Sequence, residues 1–315
     1  MPLGRLISYL RVLFGLSLLG GLVWYFDVKS IVRPLADMEV AWVLGAATLI
    51  VVATLIGAFN RHLFVDLEGR IPLAAFLPMY WVAWAIGLVI PGQIGEVAAL
   101  SAMLKRNGMQ WPTSLGRSLL DKFISFSLML VFGLVGVLHI AKPEIPTGSV
   151  PLMVAVPALL FALLVYFVWR GGQLKNFERK KRSAFVDVII DTAREFMDTS
   201  SRFPEKVLLN ALLTLLGICV IGTAYWCVFM ALGYTELSLW RIVPLVAACS
   251  IVAYVPVSFN GIGTVEVTGI VLFGFLGVPA PAVLSAYLCL RLIVFALAWL
   301  PAATILVFRP LLLRE

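Results

Sequence analysis

Residues 90–97 read IPGQIGEV, and they separate two apolar runs, LPMYWVAWAIGLV (77–89) and AALSAML (98–104). Proline lacks a backbone donor and glycine readily leaves helical geometry, so this stretch predicts a broken helix. Inside a membrane, the backbone groups that a break frees are tolerated only where they line a cavity or are buried in protein. The break therefore predicts an internal polar site, with Glu96 in the first turn of the helix that resumes near Ile94.

The composition around this break is that of a membrane protein. Of the 315 residues, 62% are hydrophobic and only 13% are charged, whereas about a quarter of the residues in soluble domains are charged. Repeated, continuous apolar runs of about 20 residues predict helical spans rather than a β-barrel. The basic residues behind the net charge of +7 lie beside these runs, where they orient spans and meet anionic lipid, so we expect no nucleic-acid partner. We predict an all-α polytopic membrane protein that forms one domain over residues 1–315.

The apolar segments predict six full spans and two re-entrant hairpins. The spans are expected at 6–26, 41–59, 118–140, 150–169, 207–232 and 281–308, and the hairpins at 73–104 and 241–276, each of which contains a segment too short to cross the bilayer. This scheme places both termini and most of the 24 Lys and Arg, including Arg61, on the cytoplasmic side. Only Lys29, Arg33, Lys142 and Arg241 lie outside, in agreement with the positive-inside tendency.

Each hairpin with its two flanking spans forms one unit, at 41–140 and at 207–308. Two such units of opposite orientation are typical of inverted-repeat transporters, whose broken helices meet near the midplane. The second break, NGIGTVEV (260–267), shares its glycines and its trailing glutamate with the first. Glu96 and Glu266 are each expected either to cap a helix or to contact the cationic group of a headgroup, a proton or a cation. Asn260 is expected to adopt left-handed geometry or to cap the returning helix.

Three further charged residues lie within predicted spans. Lys122 either snorkels to the interface or faces inward, and Asp121 is expected to pair with Lys122 or Arg291. Arg291 lies ten residues into the last span, where an unpaired arginine costs at least about 2.5 kcal/mol. Its partner is either an acidic side chain (Glu96, Glu266 or Asp121) or a lipid phosphate held by two donors, and we favour the phosphate.

A connector at 170–206 separates the two units. Its residues 183–199, SAFVDVIIDTAREFMDT, place apolar and charged side chains on opposite faces, which predicts an amphipathic helix on the cytoplasmic leaflet. A helix that docks a partner protein is the alternative. The basic run at 175–182 is expected to bind anionic lipid headgroups.

Several chemistries have no motif in this chain. There are only two histidines, and all four cysteines lie in apolar segments, so no zinc site is predicted. Neither a G-x-x-x-x-G-K-[ST] phosphate-binding loop nor a G-x-S-x-G nucleophile motif occurs. We therefore predict no cofactor, no metal ion and no enzymatic activity.

Four motifs in this chain resemble those of a known family. PGQIGEVAAL (91–100), LLDKFISF (119–126), NGIGTVEVTGIVLFGFLGV (260–278) and AYLCLRLIVF (286–295) are similar, in the same order, to the flippase-like membrane domain of the lysylphosphatidylglycerol synthase family. In that family the domain moves aminoacylated phosphatidylglycerol between leaflets, and other members are stand-alone proteins linked to varied lipids. The resemblance and the breaks together give these candidate headgroup-binding residues: Pro91, Gly92, Gly95, Glu96, Asp121, Asn260, Gly261, Gly263, Glu266 and Arg291.

The chain departs from this family at two points. Val265 stands where the family often has an arginine directly before the second glutamate, so the family's cationic contact is missing there. The second departure is the expected absence of the soluble synthase domain, which would make this a stand-alone member.

We expect a lipid translocase of the bacterial cytoplasmic membrane that moves a phospholipid or an aminoacyl-phospholipid. A homo-oligomer or a lipid-synthesising enzyme is a possible partner. One rival interpretation is a membrane-embedded transferase that uses Glu96, Asp121 or Glu266 as a general base. The other is a non-transporting subunit of a lipid-modifying complex.

Overall fold

The computed structural model describes residues 3–90, 94–140, 184–254 and 258–308, together with Tyr166. Its regular elements within these ranges are all helical, which confirms the all-α prediction. The eleven helices are α1 (Leu3–Tyr25), α2 (Val28–Ala36), α3 (Val40–Val65), α4 (Leu73–Val89), α5 (Ile94–Arg106), α6 (Trp111–Ile140), α7 (Ala184–Arg202), α8 (Pro204–Ala231), α9 (Leu239–Val252), α10 (Thr264–Gly274) and α11 (Ala280–Phe308). The predicted span at 150–169, the basic run at 175–182, Pro91 and Gly92 lie outside the described residues.

Four of the described helices, α3, α6, α8 and α11, are long and apolar enough to cross a membrane. They confirm a polytopic membrane protein and correspond to four of the six predicted spans. The first predicted span is α1, which meets α2 at an angle of 84°. Asp27 forms this corner with a positive φ of 63°, and its carboxylate accepts a hydrogen bond from the Lys29 N–H (3.4 Å).

The segments predicted to form the two hairpins are pairs of packed helices. In the first, α4 and α5 run antiparallel: a Cβ on Gly87 would lie 2.7 Å from the Cβ of Glu96, and the Asn107 amide contacts the Met79 sulfur (3.5 Å) at the far end. In the second, a short 3-10 turn (Phe259–Gly261) joins α9 to α10. Asn260 has φ 45° and ψ 37°, the left-handed geometry expected of it, and Gly261 and Gly263 also have positive φ.

The long spans bring the two hairpins to the same core. Helix α3 runs antiparallel to α8, as hydrogen bonds at their two ends show. The Glu39 N–H donates to the Ala231 carbonyl (3.3 Å) at one end, and the Asn60 amide donates to Thr214 (3.0 Å) at the other. Helix α6 packs on α9, and α11 packs on α4. Small residues allow these close crossings; a Cβ on Gly133 would lie 2.7 Å from the backbone nitrogen of Ala248.

The amphipathic helix predicted at 183–199 is α7, and it is anchored on the ends of α3 and α6. Arg117 of α6 donates to the Glu195 carboxylate (2.7 Å) and to the Val65 carbonyl (3.0 Å). A Cβ on Gly116 would lie 2.6 Å from the Thr192 carbonyl oxygen, so glycine is needed for this close approach. The connector is thus packed against the bundle along one face.

Candidate functional site

The first helix break contributes one carboxylate to a buried group of four charged side chains, which we call the first charged cluster: Arg61, Glu96, Asp121 and Lys122. Glu96 binds the Lys122 ammonium (2.8 Å) and Nη2 of Arg61 (3.2 Å). The same Nη2 lies 2.8 Å from the Asp121 carboxylate. Asn210 of α8 also donates to Asp121 (2.9 Å). Four helices, α3, α5, α6 and α8, therefore converge at this cluster.

Arg61 has unused hydrogen-bonding capacity. The residue is only 2% exposed, yet its Nε and Nη1 have no hydrogen-bond partner among the described residues. A buried donor that stays unpaired costs about 1–3 kcal/mol, and more when it is charged, so native proteins rarely leave one empty. Both donor atoms are enclosed by protein.

The second break forms a smaller group, the second charged cluster, made of Glu266 and Arg291. The Glu266 carboxylate, which is fully buried, accepts a hydrogen bond from the Gly263 N–H (2.7 Å) and another from Nε of Arg291. Glu266 therefore caps α10, one of the two roles expected of it, and also neutralises Arg291. The Arg291 side chain keeps 21% of its surface exposed.

A cavity of about 420 Å³ lies between the two clusters, and both contribute to its wall. Along α8 it extends from Leu213 to Tyr225, roughly 18 Å at 1.5 Å per residue. Its charged and amide lining residues are Asn60, Arg61, Asp121, Lys122, Asn260 and Arg291.

The described part of the cavity wall carries more cations than carboxylates. Arg61, Lys122 and Arg291 line it together with one carboxylate, Asp121, whereas Glu96 and Glu266 are not among its lining residues. Each cluster contains as many acidic as basic side chains, which is what makes burying these charges tolerable. The result is a pair of neutral clusters that together present three cations and one carboxylate to the interior space.

The sequence-based pairing of the charged residues was wrong in part. Asp121 pairs with Arg61 and Asn210, not with Lys122 or Arg291. Arg291, for which a lipid phosphate was favoured, has a protein partner in Glu266. Both corrections have one cause: Asp121 and Arg291 each meet the nearest buried opposite charge on a packed neighbouring helix.

The prediction that the span ends before Arg61 was wrong. The span predicted to end at 59 continues as α3 to Val65, where Asp66 turns the chain by accepting hydrogen bonds from the N–H groups of Arg70 (2.6 Å) and Ile71 (3.1 Å). Arg61 is therefore inside the bundle. The adjacent polar pair Asn60-Arg61, directly at the end of an apolar run, was the signal available in the sequence.

The glycines of the predicted site allow close packing at both helix breaks that a side chain would prevent. A Cβ on Gly95 would overlap the Ile90 side chain, and a Cβ on Gly263 would lie 2.9 Å from the Gly15 carbonyl oxygen of α1. Gly261 has φ 70° and packs on Ala253.

Among the residues that the structure describes, no group of three His, Cys, Asp or Glu side chains is placed to hold a metal ion.

Fold and site together define an integral α-helical membrane protein with a charged cavity inside its bundle. The sequence model of the family described as "Lysylphosphatidylglycerol synthase TM region" matches residues 11–302. The chain belongs to this family, which confirms the resemblance seen in its motifs and indicates a membrane function related to lipids. No curated protein matches the chain.

Proposed function

We propose that this protein is a lipid translocase, which moves a lipid with a phosphate-containing headgroup between the leaflets of the membrane. The observation that carries the proposal is the set of three cationic side chains in the wall of the cavity, Arg61, Lys122 and Arg291. Arginine presents its donors in a planar fork that matches phosphate oxygens. Against these three cations the described part of the wall holds one carboxylate, Asp121, so the cavity suits an anionic group.

The physical task of such a protein is to solvate a headgroup while the acyl chains stay in hydrocarbon. The cavity volume of about 420 Å³ falls within the range of roughly 300–1,000 Å³ that is usual for small-molecule sites. Asn60 and Asn260 add uncharged polar side chains to the same wall. A headgroup that carries an anionic phosphate and further polar groups, as in phosphatidylglycerol or its aminoacyl derivatives, matches this combination.

We also propose that the two halves are inverted repeats and that both hairpins are re-entrant. Reciprocal packing supports this: the last span of each half, α6 or α11, packs on the first hairpin helix of the other, α9 or α4. Helices α3 and α8 are the first spans of the two halves, and they run antiparallel. A rotation that superposes one half on the other must therefore also reverse the direction of its helices. Asp121 follows Glu96 by 25 residues, as Arg291 follows Glu266. On this proposal both termini are cytoplasmic in a bacterial inner membrane.

Transport is favoured over catalysis by the state of the carboxylates. The rival transferase requires a general base that can take a proton from a lipid substrate, and Glu96, Asp121 and Glu266 are each held by at least one cation. Asp121, which lines the cavity, has its carboxylate bound by both Arg61 and Asn210. Each of these carboxylates is thereby occupied by a partner within the protein.

The test is reconstitution of the purified chain in liposomes that contain a fluorescent phosphatidylglycerol, with a membrane-impermeant reductant added outside. We expect the reductant to bleach inner-leaflet label as well as outer-leaflet label. Bleaching confined to the outer leaflet would contradict translocation and favour the non-transporting subunit. Bleaching confined to the outer leaflet together with a change in lipid mass would favour the transferase.

The role of Arg61 is tested with Arg61→Lys, which keeps the positive charge beside Glu96 and Asp121 but removes the planar fork. We expect at least a tenfold lower transport rate, because an ammonium cannot reproduce the planar group that arginine presents to Glu96, Asp121 and the headgroup phosphate. The matched control is Arg70→Lys, since the Arg70 side chain is 77% exposed and pairs with Glu68 at the surface. Equal rates in both variants would contradict a headgroup contact at Arg61.

A further inference from the structure

Two tyrosines, one from each half of the chain, line the central cavity near the first charged cluster. Tyr80 lies on α4, and Tyr254 follows α9, where its N–H donates to the Ile251 carbonyl (3.0 Å). Both phenol groups lie within the range of electrostatic interaction with Arg61 and Asp121. They are also within that range of each other. The cavity wall therefore brings two phenol groups from different halves to one place.

Packing against neighbouring side chains fixes the position of both rings. The Tyr80 ring stacks on Phe76, one turn earlier in α4, with 6.0 Å between the ring centroids. Its hydroxyl reaches α3 at Gly57, where a Cβ would lie only 2.8 Å from the hydroxyl oxygen, so glycine leaves room for it. Gly57 itself lines the cavity, which places the Tyr80 hydroxyl at the cavity wall. The Tyr254 ring packs on Phe126 of α6, with 5.4 Å between the centroids.

The protein does not use either hydroxyl for its own hydrogen bonds. The hydroxyls of Tyr80 and Tyr254 make no hydrogen bond to the described residues, and neither oxygen is enclosed by protein. A phenol hydroxyl can both donate and accept a hydrogen bond, whereas the side chains of arginine and lysine only donate. The three cations of the wall therefore suit phosphate oxygens, and the two tyrosines can in addition accept hydrogen bonds from a donor on the same headgroup.

We propose that Tyr80 and Tyr254 select the headgroup of the translocated lipid by forming hydrogen bonds with its hydroxyl groups. The ligand is an anionic phospholipid with a hydroxylated headgroup, and the cations of the cavity wall hold its phosphate. Hydroxyl groups are neutral, so they meet the phenols without repulsion from the three cations. The inference rests on the proposed lipid transport for its role, and it explains how the site distinguishes between anionic lipids of equal charge.

The test measures binding and does not depend on transport. The purified chain in detergent is mixed with equal amounts of phosphatidylglycerol and phosphatidylethanol, and native mass spectrometry counts the bound lipids. The two lipids carry the same single phosphodiester charge and identical acyl chains, but phosphatidylethanol has no headgroup hydroxyl. We expect the wild-type chain to bind phosphatidylglycerol at least fivefold more than phosphatidylethanol. Equal binding of the two lipids would overturn the proposal.

The variants Tyr80→Phe and Tyr254→Phe each remove one hydroxyl and keep the ring. We expect each to lower the binding ratio at least twofold and the double variant to abolish the preference. The melting temperature should stay within a few degrees of wild type, because no hydrogen bond to a described residue is lost. Tyr234→Phe is the matched control, since the Tyr234 ring packs on Phe229 (6.4 Å between centroids) and does not line the cavity. A wild-type ratio in the double variant would show that the two hydroxyls meet only water, which would also overturn the proposal.

Transport measurements with the same two lipids separate this inference from the proposed function. If the wild-type chain binds both lipids equally and moves both at equal rates, translocation stands and selection by the tyrosines fails. If it binds phosphatidylglycerol selectively but moves neither lipid, the headgroup site stands and the proposed function fails. If it binds neither lipid, both proposals fail.

Discussion

The two charged clusters start from the same sequence pattern and solve the same problem differently. In each, a glutamate in the first turn of a resumed helix needs a positive partner inside the membrane. Glu266 finds one at Arg291 and an N–H donor in its own break, so two neighbouring helices complete the second cluster. Glu96 has the acidic Asp121 at the corresponding distance of 25 residues, so it depends on Arg61 from another span and on Lys122.

This difference shows that the charge at one position, negative at Asp121 and positive at Arg291, decides how many helices must contribute to a buried charged site. Asp121 cannot neutralise Glu96, and two buried carboxylates close together require a cation between them. Arg61 supplies it from α3 and thereby links helices from both halves, since Asn210 of α8 joins the same network. The first cluster is a structural junction, whereas the second is local.

The largest effect is expected from breaking this junction with Arg61→Met. The change leaves Lys122, the partner of Glu96, as the one basic side chain in the cluster with its two buried carboxylates. Removal of one member of a buried pair costs about 3–5 kcal/mol. Thermal unfolding in detergent should show a marked fall in melting temperature, and Arg61→Met combined with Asp121→Asn should recover part of it. Arg70→Met is the surface control. Equal melting temperatures for Arg61→Met and the wild type would contradict a stabilising role of Arg61 in the first charged cluster.

The next effect concerns the two glutamates. Glu96→Gln and Glu266→Gln each keep the shape and remove the charge, and we expect both to lower lipid transport severely while the protein stays inserted. Glu266→Gln should also lose stability on the order of 1–3 kcal/mol, because it weakens charged hydrogen bonds to Gly263 and Arg291. Transport and melting temperature are measured on the same preparations. Wild-type transport in both variants would reduce the glutamates to helix caps.

A smaller effect on stability is expected at Arg291, whose side chain is partly exposed to the cavity. Arg291→Gln should lower stability modestly, since Glu266 keeps its Gly263 donor, and the double variant Arg291→Gln with Glu266→Gln should regain that stability. Transport should not return in the double variant, because no cation then meets the phosphate at this position. Recovery of both properties would show that the pair is purely structural.

No effect on transport is expected from the last pair of changes, which tests whether the two halves are opposed. Asn107→Cys and Glu236→Cys are placed, one at a time, in a background without Cys219, Cys227, Cys249 and Cys289. Both positions are exposed at the ends of the hairpins. Membrane-impermeant thiol reagents should label 107 from the cytoplasmic side and 236 from the outside. Labelling of both positions from one side would contradict the inverted arrangement.

The helix breaks, the long spans and the charged residues near them were predictable because Gly, Pro and apolar runs act locally. Partners were not. The end of α3 was placed at residue 59 because hydropathy falls there, but the helix continues when Arg61 can be neutralised by residues 35 and 60 positions later in the chain. Lys122 was assigned either to the interface or to the interior, and its contact with Glu96 depends on how α5 packs on α6. Such long-range pairing leaves no periodic pattern in a single sequence.

The position of Arg61 also has a consequence for the order in which the protein is made. Glu96 leaves the ribosome 35 residues after Arg61, an interval of about 2–7 s at synthesis rates of roughly 5–20 residues per second. During that time Arg61 has no carboxylate to meet in the membrane. Because it lies near the end of α3, its long side chain can reach the aqueous interface meanwhile. We expect the helix to insert first in a shallower position and to be drawn inward when α5 arrives, a shift that force measurements on nascent chains arrested before and after Glu96 can detect.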